Sequence, residues 1–312
     1  MDPHGSIVPY RLTVTVTLWD SVESFGAAET ATSMQKSCTW WLLLMILATV
    51  YGTSSLQALR RHTILTYDTT AFDFAGAVKA VLESKGRPIN VPLSHLHETH
   101  EGRQMLVDKS GARINYYQTL WNRDRHLEPA ERGAAFLRFD QLYRDFIRSV
   151  IGPSVGGGRV LYQRAPTLRC YIPGDATAMG VFHTDEEYHH QPSELNLWMP
   201  LSDQVHDTNT LHVESVPGQG DFSPLNLTYG ECFRGWLNQC RHGCYPNTSG
   251  RTRLSLDFRV LNEATGGHDP SFRAGIRRGA KSRFQNKFDV GGFYDEANIQ
   301  ESAPILANTR NE

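Results

Sequence analysis

The stretch Arg253-Leu-Ser-Leu-Asp-Phe-Arg-Val260 alternates without a break, so in a strand Arg253, Ser255, Asp257 and Arg259 share one face and Leu254, Leu256, Phe258 and Val260 the other. One face is therefore wet and the other packed. Shorter runs of the same texture, Arg159 to Gln163, Leu168 to Ile172 and Leu195 to Leu201, are separated by Gly, Pro, Asn and Asp, which is the pattern of antiparallel sheet. Upstream, Asp68 to Gly86 predicts a helix capped by Asp68, Thr69 or Thr70, with Phe74, Val78, Val81 and Leu82 on one face and Gly86 and Pro88 as the stop. A second helix is expected from about Pro129 to Val150, where Phe136, Phe139, Tyr143, Phe146, Ile147 and Val150 recur at three- and four-residue steps and Gly152-Pro153 ends the run. Helices first and many short strands after them predict a mainly β fold with flanking helices, a sandwich or barrel buttressed on one side.

The 312 residues carry 31 Lys plus Arg against 33 Asp plus Glu, a net charge of −2, with 40% hydrophobic residues. That is the profile of a folded soluble chain, and it lacks the basic block that nucleic-acid binding needs, so no nucleic-acid partner is expected. Trp40 to Val50, WWLLLMILATV, is about half of the roughly 20 residues a membrane span requires. With Lys36 before it and Gly52, Thr53, Ser54 and Ser55 after it, the run has the order of a secretory signal, more so if translation starts at Met34. The alternative is a buried first helix. If the signal is used, the chain is routed to the secretory pathway or an organelle reached through it, with membrane contact only through this segment while uncleaved; otherwise the chain is cytoplasmic. The expected organisation is an extension over 1–60, a folded domain over 61–265, and a tail or ordered arm over 266–312, with Phe288, Phe293 and Tyr294 favouring the arm.

His183-Thr-Asp185 places an imidazole and a carboxylate two residues apart, on one face if the motif is a strand. Chance alone predicts about 1.4 His-x-acid triplets here, and three occur, the others being His126-Leu-Glu128 and His212-Val-Glu214. The first is singled out by the residues downstream of it, His242 and then, eleven positions later, Arg253 with Ser255 on the alternating strand. Two histidines and one carboxylate on one side of an octahedral iron(II) leave three positions open, the ligand set of non-haem oxygenases. Arg253, facing a cavity, needs an anion, and its fork matches a carboxylate, with Ser255 as a further donor. A 2-oxoglutarate that chelates the iron through its keto-acid end would present its distal carboxylate there.

The segment Gln163 to Val260, with Arg-Ala-Pro-Thr-Leu-Arg at 164–169, His183-Thr-Asp185, Glu194-Leu-Asn-Leu-Trp-Met-Pro-Leu201, Glu214-Ser-Val-Pro-Gly-Gln-Gly-Asp-Phe222, His242 and Arg253 to Val260, resembles the iron(II)/2-oxoglutarate-dependent dioxygenases, and within them the branch named after a streptomycin-biosynthesis protein. The resemblance covers about a third of the chain. It implies a double-stranded β-helix (jelly-roll, cupin-like) core, iron bound by His183, Asp185 and His242, 2-oxoglutarate held by Arg253 and Ser255, and dioxygen as co-reactant. It implies an enzyme that hydroxylates or oxidises a small polar metabolite, aminocyclitol-like on the branch's name.

Two other readings stay open at this point: a cupin-like metal enzyme without 2-oxoglutarate, and a non-catalytic β-sandwich binding protein whose His183, Asp185 and His242 do not meet. Asn196 is a candidate partner for cosubstrate or a metal-bound water, with Trp198 walling the site, and core packing explains these two equally well; Tyr171 is a candidate hydroxyl donor to 2-oxoglutarate from the strand before the metal motif. Glu186, Glu187, His189 and His190 are expected in a solvated loop at the mouth, where the two glutamates would attract a cationic substrate. Cys232, Cys240 and Cys244 bracket His242 with spacing outside the usual zinc patterns, and disulfides involving them or Cys170 are left open.

Overall fold

The computed structural model describes residues 56–107, 113–125, 127–174, 181–270 and 289–300, so the apolar run 40–50 and the signal reading built on it lie outside the described residues. In chain order, β1 (Thr63–Thr66) leads into α1 (Phe74–Lys85), β2 (Met105–Val107) pairs with β3 (Arg113–Asn115), and α2 (Tyr116–Asp124) follows. A single turn at Pro129–Arg132 precedes α3 (Ala134–Phe146). Then come β4 (Gly158–Gln163), β5 (Thr167–Tyr171), β6 (Leu195–Pro200), β7 (Gln204–Val205), β8 (His212–Val213), β9 (Ser223–Pro224), β10 (Leu227–Thr228), β11 (Glu231–Gly235), β12 (His242–Gly243), β13 (Arg253–Leu261) and β14 (Tyr294–Ile299). The protein is mostly β, its sheets antiparallel, with helices alongside.

The main sheet runs β1-β11-β6-β13-β4-β14, with β5 also on β13; a smaller sheet is ordered β12-β8-β9, and β10 pairs with β7. β13 lies at the centre. Its packed face behaves as the alternation predicts: Leu254, Leu256, Phe258 and Val260 are at most 1% exposed and share one core with Phe74 and Val78 of α1 and Phe136, Phe139 and Phe146 of α3. Tyr143 stands edge-on to Phe258 at 5.2 Å. Each such side chain contributes roughly 1.5–3 kcal/mol by leaving water. A second apolar cluster, including Trp198, Leu211, Val213, Leu237 and Tyr171, joins residues of the main sheet to the smaller one.

Both expected helices exist with shifted ends. α1 is capped by Asp73, whose Oδ1 accepts from the Gly76 amide at 2.9 Å, while Asp68 serves an earlier turn by accepting from Thr70 N at 2.8 Å. Gly133, at φ 82°, breaks the chain before α3, and Gly152-Pro153 does not stop it: a wider turn over Ile147–Ile151 continues into Gly152–Ser154. A proline in a first turn has no amide to satisfy, so it is tolerated there. Within the described residues 289–300, β14 pairs with β4 over six residues, Tyr294 opposite Gln163 to Ile299 opposite Gly158. Gly152 makes this possible, since a Cβ there would lie 2.5 Å from Ile299 Cγ1.

Candidate metal centre

His183 and Asp185 reach the site by a route different from the expected strand. His183 forms an antiparallel bridge with His242, its amide donating to His242 O at 3.0 Å and His242 N to His183 O at 2.9 Å. Asp185 instead opens a 3-10 turn over Asp185–Tyr188, capped by Thr184 and closed by His189 in the left-handed region. The bridge aligns the two histidines and the turn folds the carboxylate back toward them. One ligand atom from each of His183, Asp185 and His242 lies within 4.8 Å of the others. Asp185 Oδ1 is 3.9 Å from His183 Nε2 and 3.6 Å from His242 Nε2.

The remaining atoms of these groups are held by the protein. His183 Nδ1 lies 2.5 Å from Val181 O and His242 Nδ1 3.2 Å from Cys240 O, so each ring donates its Nδ1 proton to a carbonyl and turns its Nε2 toward the centre. Asp185 Oδ2 accepts from Arg259 Nε at 3.0 Å and Nη2 at 2.8 Å, and from Asn196 Nδ2 at 2.6 Å. Burial alone would raise the Asp185 carboxyl, but Arg259 and then His242 hold it well below the usual carboxylate range. Burial pushes His242 down to about 4, with Asp185 pulling the other way, so that imidazole is neutral near pH 7. An ionised carboxylate and an unprotonated imidazole are the forms that bind a divalent metal.

A cavity of about 90 Å³ adjoins the cluster, walled by His183, His242, Asn196 and Arg253 and on its apolar side by Trp198, Leu211 and Leu237. Register sets these positions: Arg259 sits opposite Asn196, Asp257 opposite Trp198, and Arg253 opposite Tyr171. Arg253 is 2% exposed and pairs with no carboxylate among the described residues. Its Nη1 donates to Cys244 Sγ at 3.2 Å, its guanidinium lies 4.1 Å above the Tyr171 ring, and its Nε has no partner. The Tyr171 ring face thus lies against the Arg253 guanidinium. Ser255, on the same strand face, is fully buried with an unpartnered hydroxyl, but it is not among the residues that wall the cavity. Asn196 Nδ2 donates to Asp185 Oδ2, and its Oδ1 has no partner among the described residues.

Three further residues, named in the sequence without a part in the site, turn out to support it. Arg259 shares the alternating face with Arg253 and also bonds Asp257, which pairs in turn with Arg169 at 2.8 Å. Glu194 and Tyr294 form a buried network with His190: His190 Nδ1 lies 2.7 Å from Glu194 Oε2, and Tyr294 OH donates to Glu194 Oε1. His190 is therefore not a solvated mouth residue, and Glu187 is paired with Arg241. The described cysteines, Cys170, Cys232, Cys240 and Cys244, are free buried thiols, and burial holds the first three up at about 12, which disfavours metal-binding thiolates. The signal that pointed to Arg259 was its parity on the strand; nothing local marked Tyr294.

No family model matches the chain. Over 149 residues, 48% of this chain and 68% of the relative, it is 29% identical to the streptomycin biosynthesis protein StrG of Streptomyces griseus. Among solved structures it is similar to the non-heme alpha ketoglutarate dependent carbocyclase SnoK from nogalamycin biosynthesis, with 14% identity and a TM-score of 0.45 over 78% of this chain and 96% of that one. It is also similar to AviO1 from Streptomyces viridochromogenes, with 15% identity and a TM-score of 0.40 over 67% of this chain and 94% of that one.

Proposed function

We propose that this chain is an iron(II)- and 2-oxoglutarate-dependent dioxygenase acting on a small polar metabolite, with His183, Asp185 and His242 as metal ligands. The observation that carries the reading is Arg253, a guanidinium cation enclosed in the same cavity as two metal-ready imidazoles, without a carboxylate of its own. An uncompensated buried charge costs several kcal/mol, and an anionic ligand that completes the site offsets it. A dicarboxylate with one end at the metal meets that need; a cupin-like enzyme without 2-oxoglutarate has no use for it. The non-catalytic reading required the three side chains to lie apart, and they converge.

Iron(II), when bound, would supply the coupling of dioxygen reduction to substrate oxidation, in which 2-oxoglutarate, dioxygen and a C–H bond give succinate, carbon dioxide and an alcohol. The protein's own contribution is placement. The Val181 and Cys240 carbonyls fix the imidazole tautomers, Arg259 and Asn196 reserve Asp185 Oδ1 for the metal, and Arg253 receives the distal carboxylate with Ser255 behind it. Trp198, Leu211 and Leu237 keep the cavity wall dry. The unpartnered Asn196 Oδ1 would be an acceptor for water once the centre holds a metal. In this reading the two sheets form a double-stranded β-helix, residues 61–265 carry the catalytic domain, and 266–312 are a C-terminal tail or arm. The relative named for streptomycin biosynthesis favours an aminocyclitol-like substrate.

Anaerobic addition of 2-oxoglutarate to the iron(II)-loaded protein should produce the weak visible charge-transfer band of the chelate. Iron binding without that band would remove 2-oxoglutarate from the reading. Arg253→Ala should weaken 2-oxoglutarate about 30-fold or more, as expected for one side of a buried charge pair, while leaving iron affinity within a few-fold. A succinate-release screen over polar metabolites then identifies the substrate.

A further inference from the structure

A second cavity, about 280 Å³, lies between α3, β4 and the C-terminal arm and shares no residue with the metal cavity. Its wall includes three guanidiniums, Arg132, Arg144 and Arg164, and two carboxylates, Asp140 and Asp295. Arg132 and Asp140 neutralise each other, 2.6 Å apart and buried. Asp295 accepts from Tyr162 OH at 3.2 Å. The other two cations have only weak or neutral partners. Arg144 donates to Gln141 Oε1 at 3.3 Å and pairs with no carboxylate among the described residues. Arg164 donates to Gly291 O at 3.3 Å and reaches exposed Glu128 only at 3.8 Å. The wall thus carries three positive charges against two negative ones around a polar, partly enclosed space, where the attraction for an anion is stronger than on an open surface.

We propose that this cavity binds a phosphate group, as the free ion or a monoester. Two guanidinium forks come from different walls, one on α3 and one at the end of β4. A tetrahedral dianion can give oxygens to both forks at once, whereas a planar carboxylate has two oxygens and a single charge to divide. The site also bears on the arm. Gly291 and Asp295 flank Tyr294, whose hydroxyl bonds Glu194, so a phosphate held here would tie the arm down beside the network that ends at His190.

The test uses the full chain, metal-free and iron-loaded, because the site is independent of the iron reading. Thermal unfolding is followed in inorganic phosphate against sodium chloride of equal ionic strength, with phenyl phosphate as the monoester. Phosphate at roughly 10 mM should raise the midpoint by about 3 °C or more while chloride does not. Calorimetric titration should show phosphate binding weakened at least 10-fold in Arg144→Ala and in Arg164→Ala, with Arg144→Lys in between. Tighter binding of phenyl phosphate assigns the site to monoesters, and weaker binding assigns it to the free ion. The absence of a phosphate-specific rise overturns the proposal, as does full retention of binding in the double variant. Should the variants fail to fold, amide exchange of residues 291–295 in the unmodified chain decides: slowing by phosphate supports the site, and no change rejects it.

Discussion

Arg259 grips Asp185 through two nitrogens on a single oxygen, Oδ2, at 3.0 and 2.8 Å, which leaves Oδ1 turned toward both imidazoles. Although burial works against it, Asp185 and Asp257 hold the Arg259 guanidinium firmly charged. Arg259 is thus a positioning residue for the carboxylate. Arg259→Ala should cost about 10- to 100-fold in iron(II) or cobalt(II) affinity, the usual scale for losing a group that orients a metal ligand. Arg259→Lys should recover part of it, since an ammonium restores charge without the fork. Metal titration measures both, and unchanged affinity in Arg259→Ala would show that the carboxylate needs no such support.

The neutral His242 makes the metal-free protein acid-sensitive in a defined window. Its folded-state value, about 4, lies below the ordinary 6.5, so the unfolded chain takes up the proton first as pH falls. The stability this residue contributes is present above pH 6.5 and is lost progressively toward pH 4, a few kcal/mol at most. Denaturant unfolding of the metal-free protein should steepen in its pH dependence over that range, and His242→Gln should flatten it.

Tyr294→Phe removes one hydroxyl from the Glu194 and His190 network and keeps the ring. Glu194, 0% exposed, then loses a donor to its Oε1 oxygen. A buried acceptor left short of a donor costs roughly 1–3 kcal/mol. Urea unfolding should register that loss, and because the loop from Asp185 to His190 is anchored by the same network, metal affinity should fall several-fold as well.

Gly152→Ala tests the seat of the arm. The added methyl meets Ile299 Cγ1 at 2.5 Å and Ile147 O at 3.0 Å. Overpacking of this kind costs typically 1–3 kcal/mol. Shortening the opposing side chain in Gly152→Ala/Ile299→Val should return part of the stability, whereas an equal loss in both variants would place the strain on the backbone.

The packed face of β13 was legible because alternation is a local property; the opposite face carries the polar groups but is not wet, Arg253 being 2% exposed and Ser255 fully buried. His183, Asp185, His242 and Arg253 could be named as candidates because they are residue types that ask for particular partners, and the first three do converge. Their geometry was not legible. His183 and Asp185 converge through a bridge and a 3-10 turn ending in a left-handed His189, features that residue spacing does not encode. Asn196 was placed in the site but its partner was not, because an amide serves a carboxylate or a ligand equally well. Pairs such as Arg259 with Asp185 and Tyr294 with Glu194 join segments 74 and 100 residues apart, so only the sheet register brings them together. α2, reading YYQTLWNRD, mixes rings and polar groups on all sides and shows no clean apolar stripe, yet it buries Trp121 completely against Phe136 and Phe139.

The pairing of β14 with β4 also orders events during synthesis. A ribosome that has released β4 through β13 has exposed nearly every side chain of the metal cluster, but β4 still presents a bare edge and Glu194 still lacks its phenol. Until β14 emerges, that edge is open to pairing with another nascent chain. Fragments ending before Tyr294 should therefore collect in inclusion bodies, even though they contain His183, Asp185, His242 and Arg253.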